Sequence, residues 1–175
     1  MMRTTLRAAH ACAALAALVI GLPSIVIGCS APDANATVSP AGPDRASFGP
    51  VAKILVRRCG SIDCHGSPYR NMRLYGYASS RLDPTSLPDS PPDTTAAEID
   101  ADYDAVVALE PELMRQVVAD KGRDAERLTF VRKGRGQEAH KGGQRIVPGD
   151  PADRCILSWL GNAVDADACN AANAP

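Results

Sequence analysis

LVRRCGSIDCHGSPYRNMRLYG, residues 55–76, places Cys59 and Cys64 on either side of a four-residue spacer, with His65 directly after the second thiol. Two thiols and an imidazole this close have several chemical uses. The thiols can close a disulfide loop, join a metal site, serve in nucleophilic chemistry, or hold a larger group covalently while the imidazole addresses it from one side. Upstream, GPVAKILVRRC reads as a helix, with Gly49 able to cap and Pro50 suited to the first helical position. Val51, Leu55 and Cys59 recur at i, i+4 and i+8 with Ile54 beside them, so this helix is expected to deliver Cys59 to the core side.

The compartment bears on which use is open. The chain begins with Arg3 and Arg7, then runs through an apolar stretch, residues 11–27, interrupted by Pro23. That is the layout of a signal peptide; a membrane-spanning helix needs about 20 predominantly apolar residues with flanking anchors. The stretch closes with Val26-Ile27-Gly28-Cys29-Ser30, which resembles the lipobox of bacterial lipoproteins, with Val26 where leucine is usual. The resemblance implies that Cys29 is lipidated and becomes the mature N-terminus; ordinary cleavage nearby, leaving Cys29 as a free thiol, is the alternative. The expected product is exported and lipid-anchored to a bacterial membrane, on the periplasmic or cell-surface side. Without Arg3 and Arg7 the 19 basic residues become 17 against 20 acidic ones, a formal charge of −3 that offers no general attraction to nucleic acid. Besides Cys29, the exported part carries Cys59, Cys64, Cys155 and Cys169, an even set read first as disulfides.

Four segments follow: a lipoprotein-type signal peptide over 1–28, a disordered tether over 29–47, a domain over 48–169 and a flexible tail over 170–175. The tether, rich in Pro, Ala and Asp, lacks the apolar bulk to fold. Within the domain, Thr95-x-x-Glu98 is a capping box opening a helix with Ile99, Tyr103, Val106 and Val107 on one face. Pro111 starts another, carrying Leu113, Met114, Val117 and Val118, which Gly122 can end. RLTFVRK, residues 127–133, is ambiguous between strand and helix, and KGRGQEAHKGGQRIVPG, residues 133–149, reads as loop. Asp150 as N-cap and Pro151 after it open a last helix, with Ile156, Trp159 and Leu160 inward and Gly161 as its stop. The fold class is mainly α, a small helical domain with long loops. Aromatics are few, one Trp, four Tyr and two Phe, which leaves room for a buried cofactor, although Leu, Val and Ile can also fill such a core.

Covalent haem attachment needs two thiols and an imidazole able to ligate the iron from one face. The adjacency of Cys64 and His65 fixes the imidazole beside a thioether, whereas the spacer mainly closes a loop, so two extra residues add little entropy. GSID is small and polar, and Gly60 tolerates unusual backbone angles. A Cys59–Cys64 disulfide also fits the compartment but leaves His65 without a role. Zinc would draw on Cys59, Cys64, His65 and His140, yet exported thiols are rarely kept reduced. For nucleophilic Cys/His catalysis the sequence offers no nearby group to orient the histidine.

ILVRRCGSIDCHGS, RNMRLYGY, YDAVVALEPELMRQV and HKGGQRIVPGDPADRCILSWL together resemble c-type cytochrome domains of exported bacterial proteins, loosely over residues 51–160. In that family a helix leads into CHG, and stretched spacers of three or four residues occur. The long spacer and the Pro-rich insert after Leu82 depart from the family pattern. The resemblance implies a cytochrome c-like helical fold, one haem c, thioethers at Cys59 and Cys64, and His65 as proximal ligand. It also places the distal ligand on a loop leading to the C-terminal helix, where His140 stands; a solvent-exposed histidine in a basic loop is the bland reading. His65 and His140 are the histidines of the exported part. Met114 is the runner-up distal ligand, although its helical stripe reads as core, and Met72 is a third. Two imidazoles would hold the potential below that of a His/Met pair and leave no open iron site, which favours electron transfer over catalysis. Cys155 and Cys169 are expected to pair and clamp the tail, contributing about 3 kcal/mol, with other pairings left open by the sequence.

Charge is unevenly placed. Residues 82–114 hold nine acidic and no basic side chains, and residues 115–145 hold nine basic and four acidic. Such blocks can steer a redox partner protein, or can be two solvated faces. The functional expectation is a membrane-tethered electron carrier with one covalent haem. The alternatives are a cofactor-free, disulfide-stapled binding lipoprotein and a haem enzyme of peroxidase type. Replacing Cys29→Ser is expected to move the full-length protein from the membrane pellet to the soluble fraction; retention in the pellet would refute the anchor.

Overall fold

The Thr95 hydroxyl accepts from the Glu98 amide, and the Glu98 carboxylate accepts from the Thr95 amide, so the reciprocal cap anticipated at this helix start is formed. It opens α2, Ala96–Val107, one of six α-helices in the computed structural model, which describes residues 41–90 and 93–175. The others are α1 (Gly49–Cys59), α3 (Pro111–Ala119), α4 (Thr129–Gly134), α5 (Pro151–Leu160) and α6 (Ala166–Asn173), with 3-10 turns at Arg45–Ser47 and Ala125–Arg127. Among the described residues there is no strand, only an isolated bridge between Tyr75 and Ser80, and no helix long and apolar enough to cross a membrane. The mainly α fold class therefore holds. The signal peptide, the lipobox and Cys29 lie outside the described residues.

The helix starts follow from the residues that punctuate them. Pro50, Pro111 and Pro151 each occupy a first turn, where the missing N–H has no helical partner to lose. Asp150 caps α5 through the Asp153 amide at 2.7 Å. Phe48, not Gly49, stands at the cap position of α1, without a side-chain bond, and is fully buried instead. Gly122, at φ +75, ends α3 by returning its amide to the Val117 carbonyl at 2.8 Å. RLTFVRK resolves as helix over most of its length, with Phe130 and Val131 buried.

The core joins one face of α1 (Val51, Ile54, Leu55) to Val106, Val107, Met114, Val117, Leu128, Ile156 and Leu160. Three of the scarce aromatics meet in it. Phe48 lies 5.5 Å from Tyr103 and 4.8 Å from Trp159 between ring centroids, and Tyr103 lies 6.1 Å from Trp159. Their polar ends need partners once buried, and they find them upstream. The Tyr103 hydroxyl donates to the Pro43 carbonyl at 2.7 Å, and Trp159 Nε1 donates to the Asp44 carbonyl at 3.1 Å. Packed structure thus begins at Pro43, ahead of the expected boundary at Phe48, because the backbone of residues 43–44 serves the buried aromatics.

The C-terminal end departs from expectation in the same direction. Residues 166–173 form α6, which packs on α1 and α5 where a flexible tail from residue 170 was expected. Cys155 and Cys169 form the anticipated disulfide, and Asn173 Nδ2 donates to the Pro50 carbonyl at 3.1 Å.

Arg81 and Glu98 form a buried ion pair, with side chains 3% and 2% exposed. Burial pushes the Glu98 carboxyl up, but hydrogen bonds from Arg81 and from the Thr95 and Leu82 amides outweigh it, leaving the group below the usual carboxylate range. The pair fastens the start of the Pro-rich loop to α2. Removing one partner of a buried pair strands the other charge, so Glu98→Gln should cost roughly 3–5 kcal/mol, measured as a lower urea midpoint of unfolding at unchanged slope.

Candidate functional site

Cys59 is the last residue of α1, and Gly60 closes the helix by donating to the Val56 carbonyl at 2.8 Å. The chain then turns back on itself. The Cys64 and Gly66 amides both donate to the Ser61 carbonyl, at 2.8 and 3.0 Å, and the His65 amide reaches the Cys59 carbonyl at 3.0 Å. The spacer makes the bulge expected of it, with residues 61–63 exposed and Ile62 on the outside. Cys64 is thereby folded back to the helix end that carries Cys59.

A second segment, residues 72–80, clasps this turn. The Leu74 amide donates to the His65 carbonyl at 2.7 Å. The Ser79 hydroxyl, fully buried, lies against the carbonyls of Gly60 and Leu74, and the Ser80 hydroxyl donates to the Gly66 carbonyl. Gly66 fits because it lacks a side chain; a Cβ there would run into the Gly60 carbonyl and the Ser79 hydroxyl. The clasp reaches α2 through the Tyr75 amide, which donates to Asp102 Oδ1 at 2.7 Å.

His65 Nδ1 lies 2.8 Å from the Met72 carbonyl. A carbonyl only accepts, so this nitrogen carries the proton and Nε2 keeps its lone pair, the state a metal-ligating imidazole requires. Burial lowers the His65 pKa, the Met72 bond opposes the shift, and the charges of Arg70, His140 and Lys133 lower it further. Neutral imidazole is the favoured form. Burial likewise pushes the Cys59 thiol up to about 11, with Cys64 acting in the same sense and Arg145 and Arg58 opposing.

His140 arrives from α4 and the loop after it. Two ion pairs hold the ends of that loop. Arg135 bonds both carboxylate oxygens of Asp153, at 2.8 and 2.9 Å, and Arg58 bonds Asp150 at 3.0 Å and the Arg145 carbonyl at 3.1 Å. His140 Nδ1 is buried with no hydrogen-bond partner, and a Cβ on Gly142 would come within 2.8 Å of Nε2.

These pieces enclose a cleft. Cavities of about 150 and about 310 Å³ share Cys59, His65, Arg70, Lys133 and His140. The larger reaches the lower end of small-molecule sites, roughly 300–1,000 Å³. Cys59, Cys64, His65 and His140 all line the smaller. Arg58, Arg70, Lys133, Lys141 and Arg145 line the same side, with no acidic residue among them. Cys59 and Cys64 are unjoined, unlike Cys155 and Cys169. Among the described residues no three His, Cys, Asp or Glu side chains converge to hold a bare metal ion.

Compared with known proteins, the chain matches no family model, no curated protein and no solved structure.

The structure brings Cys59, Cys64, His65 and His140 together across some 80 residues of chain. Met72 also lines the cleft, whereas Met114 is fully buried in the core and lines neither cavity. Sequence reasoning missed Ser79, Ser80 and Asp102. The pair SS after Gly76 carries a faint signal, since serines near a glycine turn bond backbone; nothing in the sequence marks Asp102 among its acidic neighbours.

Gly66→Ala should displace the Ser79 clasp and destabilise the fold by about 2 kcal/mol, within the usual range for close-packed sites, seen as a lower thermal midpoint. An unchanged midpoint would show that the turn is less tightly closed than described.

Proposed function

We propose that this chain is a c-type cytochrome, exported and lipid-anchored at Cys29, that carries one covalently bound haem and passes single electrons between partner proteins. One observation carries the reading: two unjoined thiols, an imidazole with its Nδ1 proton already committed and a second imidazole with a buried, unpartnered nitrogen line one cleft.

The residues present fit such a group. Cys59 and Cys64 would hold the macrocycle, and their separation by an exposed bulge leaves both sulfurs at the cleft wall. His65 offers Nε2 as proximal ligand, kept neutral by burial and oriented by the Met72 carbonyl. His140 would take the distal face. The basic side chains along the cleft suit the two carboxylates that haem carries. Bound haem supplies an iron that cycles between ferrous and ferric states. The chain would contribute a neutral His65 nitrogen, the His140 imidazole and a positive surround. Were His65 and His140 both to hold the iron, the site would suit electron transfer rather than binding a substrate there.

Expressed in a host with the c-type maturation machinery, the protein should be red and should keep its colour through acid–acetone extraction. His140→Ala should convert a low-spin spectrum to one that binds exogenous ligands. A colourless, folded product with a Cys59–Cys64 disulfide would refute the proposal in favour of a stapled binding module. Exogenous ligand binding to the unaltered protein would point instead to a haem enzyme.

A further inference from the structure

Asp102 is a buried titratable side chain for which electron transfer, as described, has no use. It sits within α2 with no solvent exposure. Oδ1 accepts from the Tyr75 amide, while Oδ2 is buried with no hydrogen-bond partner. A buried polar atom left unpaired is costly, so this oxygen works against the fold. What the carboxyl touches is the segment that sets His65. Residues 72–75 bond back to the motif through the Met72 carbonyl and the Leu74 amide. Among the described residues, the Tyr75 amide is their hydrogen bond to a helix.

We propose that Asp102 is a positioning residue for His65, holding the Tyr75 amide so that the backbone of residues 72–75 keeps the Met72 carbonyl on His65 Nδ1. The inference rests on the proposed role of His65 as proximal ligand, and it concerns the ring's orientation and tautomer, which exist with or without the iron. An apolar residue at this place would fill the space but leave the Tyr75 amide without an acceptor and residues 72–75 without their hydrogen bond to α2.

The carboxyl is suited to the task because it stays neutral. Burial pushes its pKa up to about 8, the Tyr75 hydrogen bond opposes this, and the Glu98 charge adds to it. The charged groups on the surrounding elements are engaged elsewhere. Arg81 is on Glu98, Arg73 lies over the Tyr75 ring, Lys53 of α1 pairs with Asp93, and Arg57 of α1 bonds the Asn173 and Ala174 carbonyls. Among the described residues, the charge that acts on this carboxyl is that of Glu98, which favours the protonated form. The folded pKa, about 8, lies above the unfolded value, 3.8, so the folded chain binds the extra proton between them. This group therefore makes stability fall as pH rises through that window.

Two variants of the full-length protein test the inference, with exchange of the Tyr75 amide and the His65 ring proton followed by NMR and urea midpoints taken from pH 5 to pH 9. Asp102→Asn keeps an oxygen acceptor and should preserve both protections while flattening the fall of the midpoint with pH. Asp102→Leu should speed Tyr75 exchange at least tenfold and expose the His65 ring proton, with helix amides elsewhere unchanged. Unaltered Tyr75 and His65 protection in a folded leucine variant would overturn the proposal. Should that variant fail to fold, Asp102→Ala is read the same way, and unaltered Tyr75 and His65 protection in it overturns the proposal equally. Colour and exchange report separately: loss of protection in a colourless protein would refute the haem reading and leave Asp102 as the anchor of the His65 clasp.

Discussion

The hydrogen bond between His65 Nδ1 and the Met72 carbonyl is the constraint around which this molecule is arranged. It joins a side chain in a tight turn to a backbone segment that belongs to neither helix nor strand. Irregular backbone cannot be buried unless each donor and acceptor finds a partner, and here the partners are supplied reciprocally. The turn's carbonyls at Gly60, His65 and Gly66 are served by Ser79, the Leu74 amide and Ser80. The clasp's own Met72 carbonyl is served by His65. Neither segment can move without orphaning groups in the other, so the imidazole is held more firmly than a loop histidine ordinarily is.

The helices supply the frame for that exchange. α1 ends at Cys59, α2 reaches the clasp through Asp102, and the step from α4 to α5 carries His140 between two arginine clips. Asp150 illustrates the economy of the arrangement. One carboxylate oxygen caps α5, while the other holds Arg58, one residue before Cys59. A single side chain thus sets the angle of the C-terminal helix and anchors the return of the His140 loop to the end of α1. The ends of the domain are secured in a comparable way, by Trp159 and Tyr103 on the backbone of residues 43–44 and by α6 behind its disulfide.

How much of this is legible in sequence depends on where the information lies. Proline at a first turn, the Thr95–Glu98 box and the Asp150 cap are local chemistry, and each marks its helix correctly. The pairing of Cys155 with Cys169 is one of several connectivities the sequence allows, and the meeting of His140 with Cys59, Cys64 and His65 is expected from the family resemblance together with the scarcity of histidines. α6 was invisible because ADACNAAN has too little apolar bulk to show a helical stripe; its order comes from the disulfide and from packing on α1 and α5. Residues 43–47 look like linker for the same reason; they are held by backbone carbonyls and by Arg45, which pairs with Asp100 and Asp104 of α2 and lies over the Tyr103 ring. Ser79, Ser80 and Asp102 act on main-chain atoms distant in sequence, and no spacing rule announces such contacts. Met114, weighed as a ligand, sits where its helical stripe said it should, in the core.

The electrostatics of the cleft bring the parts into one account. Cys59 and His65 are held in their neutral forms by burial, while Arg58, Arg70, Lys133, Lys141 and Arg145 surround them. Some of that charge is offset, Arg58 by Asp150 and Lys133 by Glu138, but no carboxylate enters the lining. A positive surround of this kind attracts anionic groups and favours the less positive state of a redox centre placed within it. Two imidazole ligands act in the opposite sense, favouring the oxidised state relative to a thioether ligand. On the proposed reading, the potential of the site is therefore set by a competition between nitrogen ligation and a basic wall.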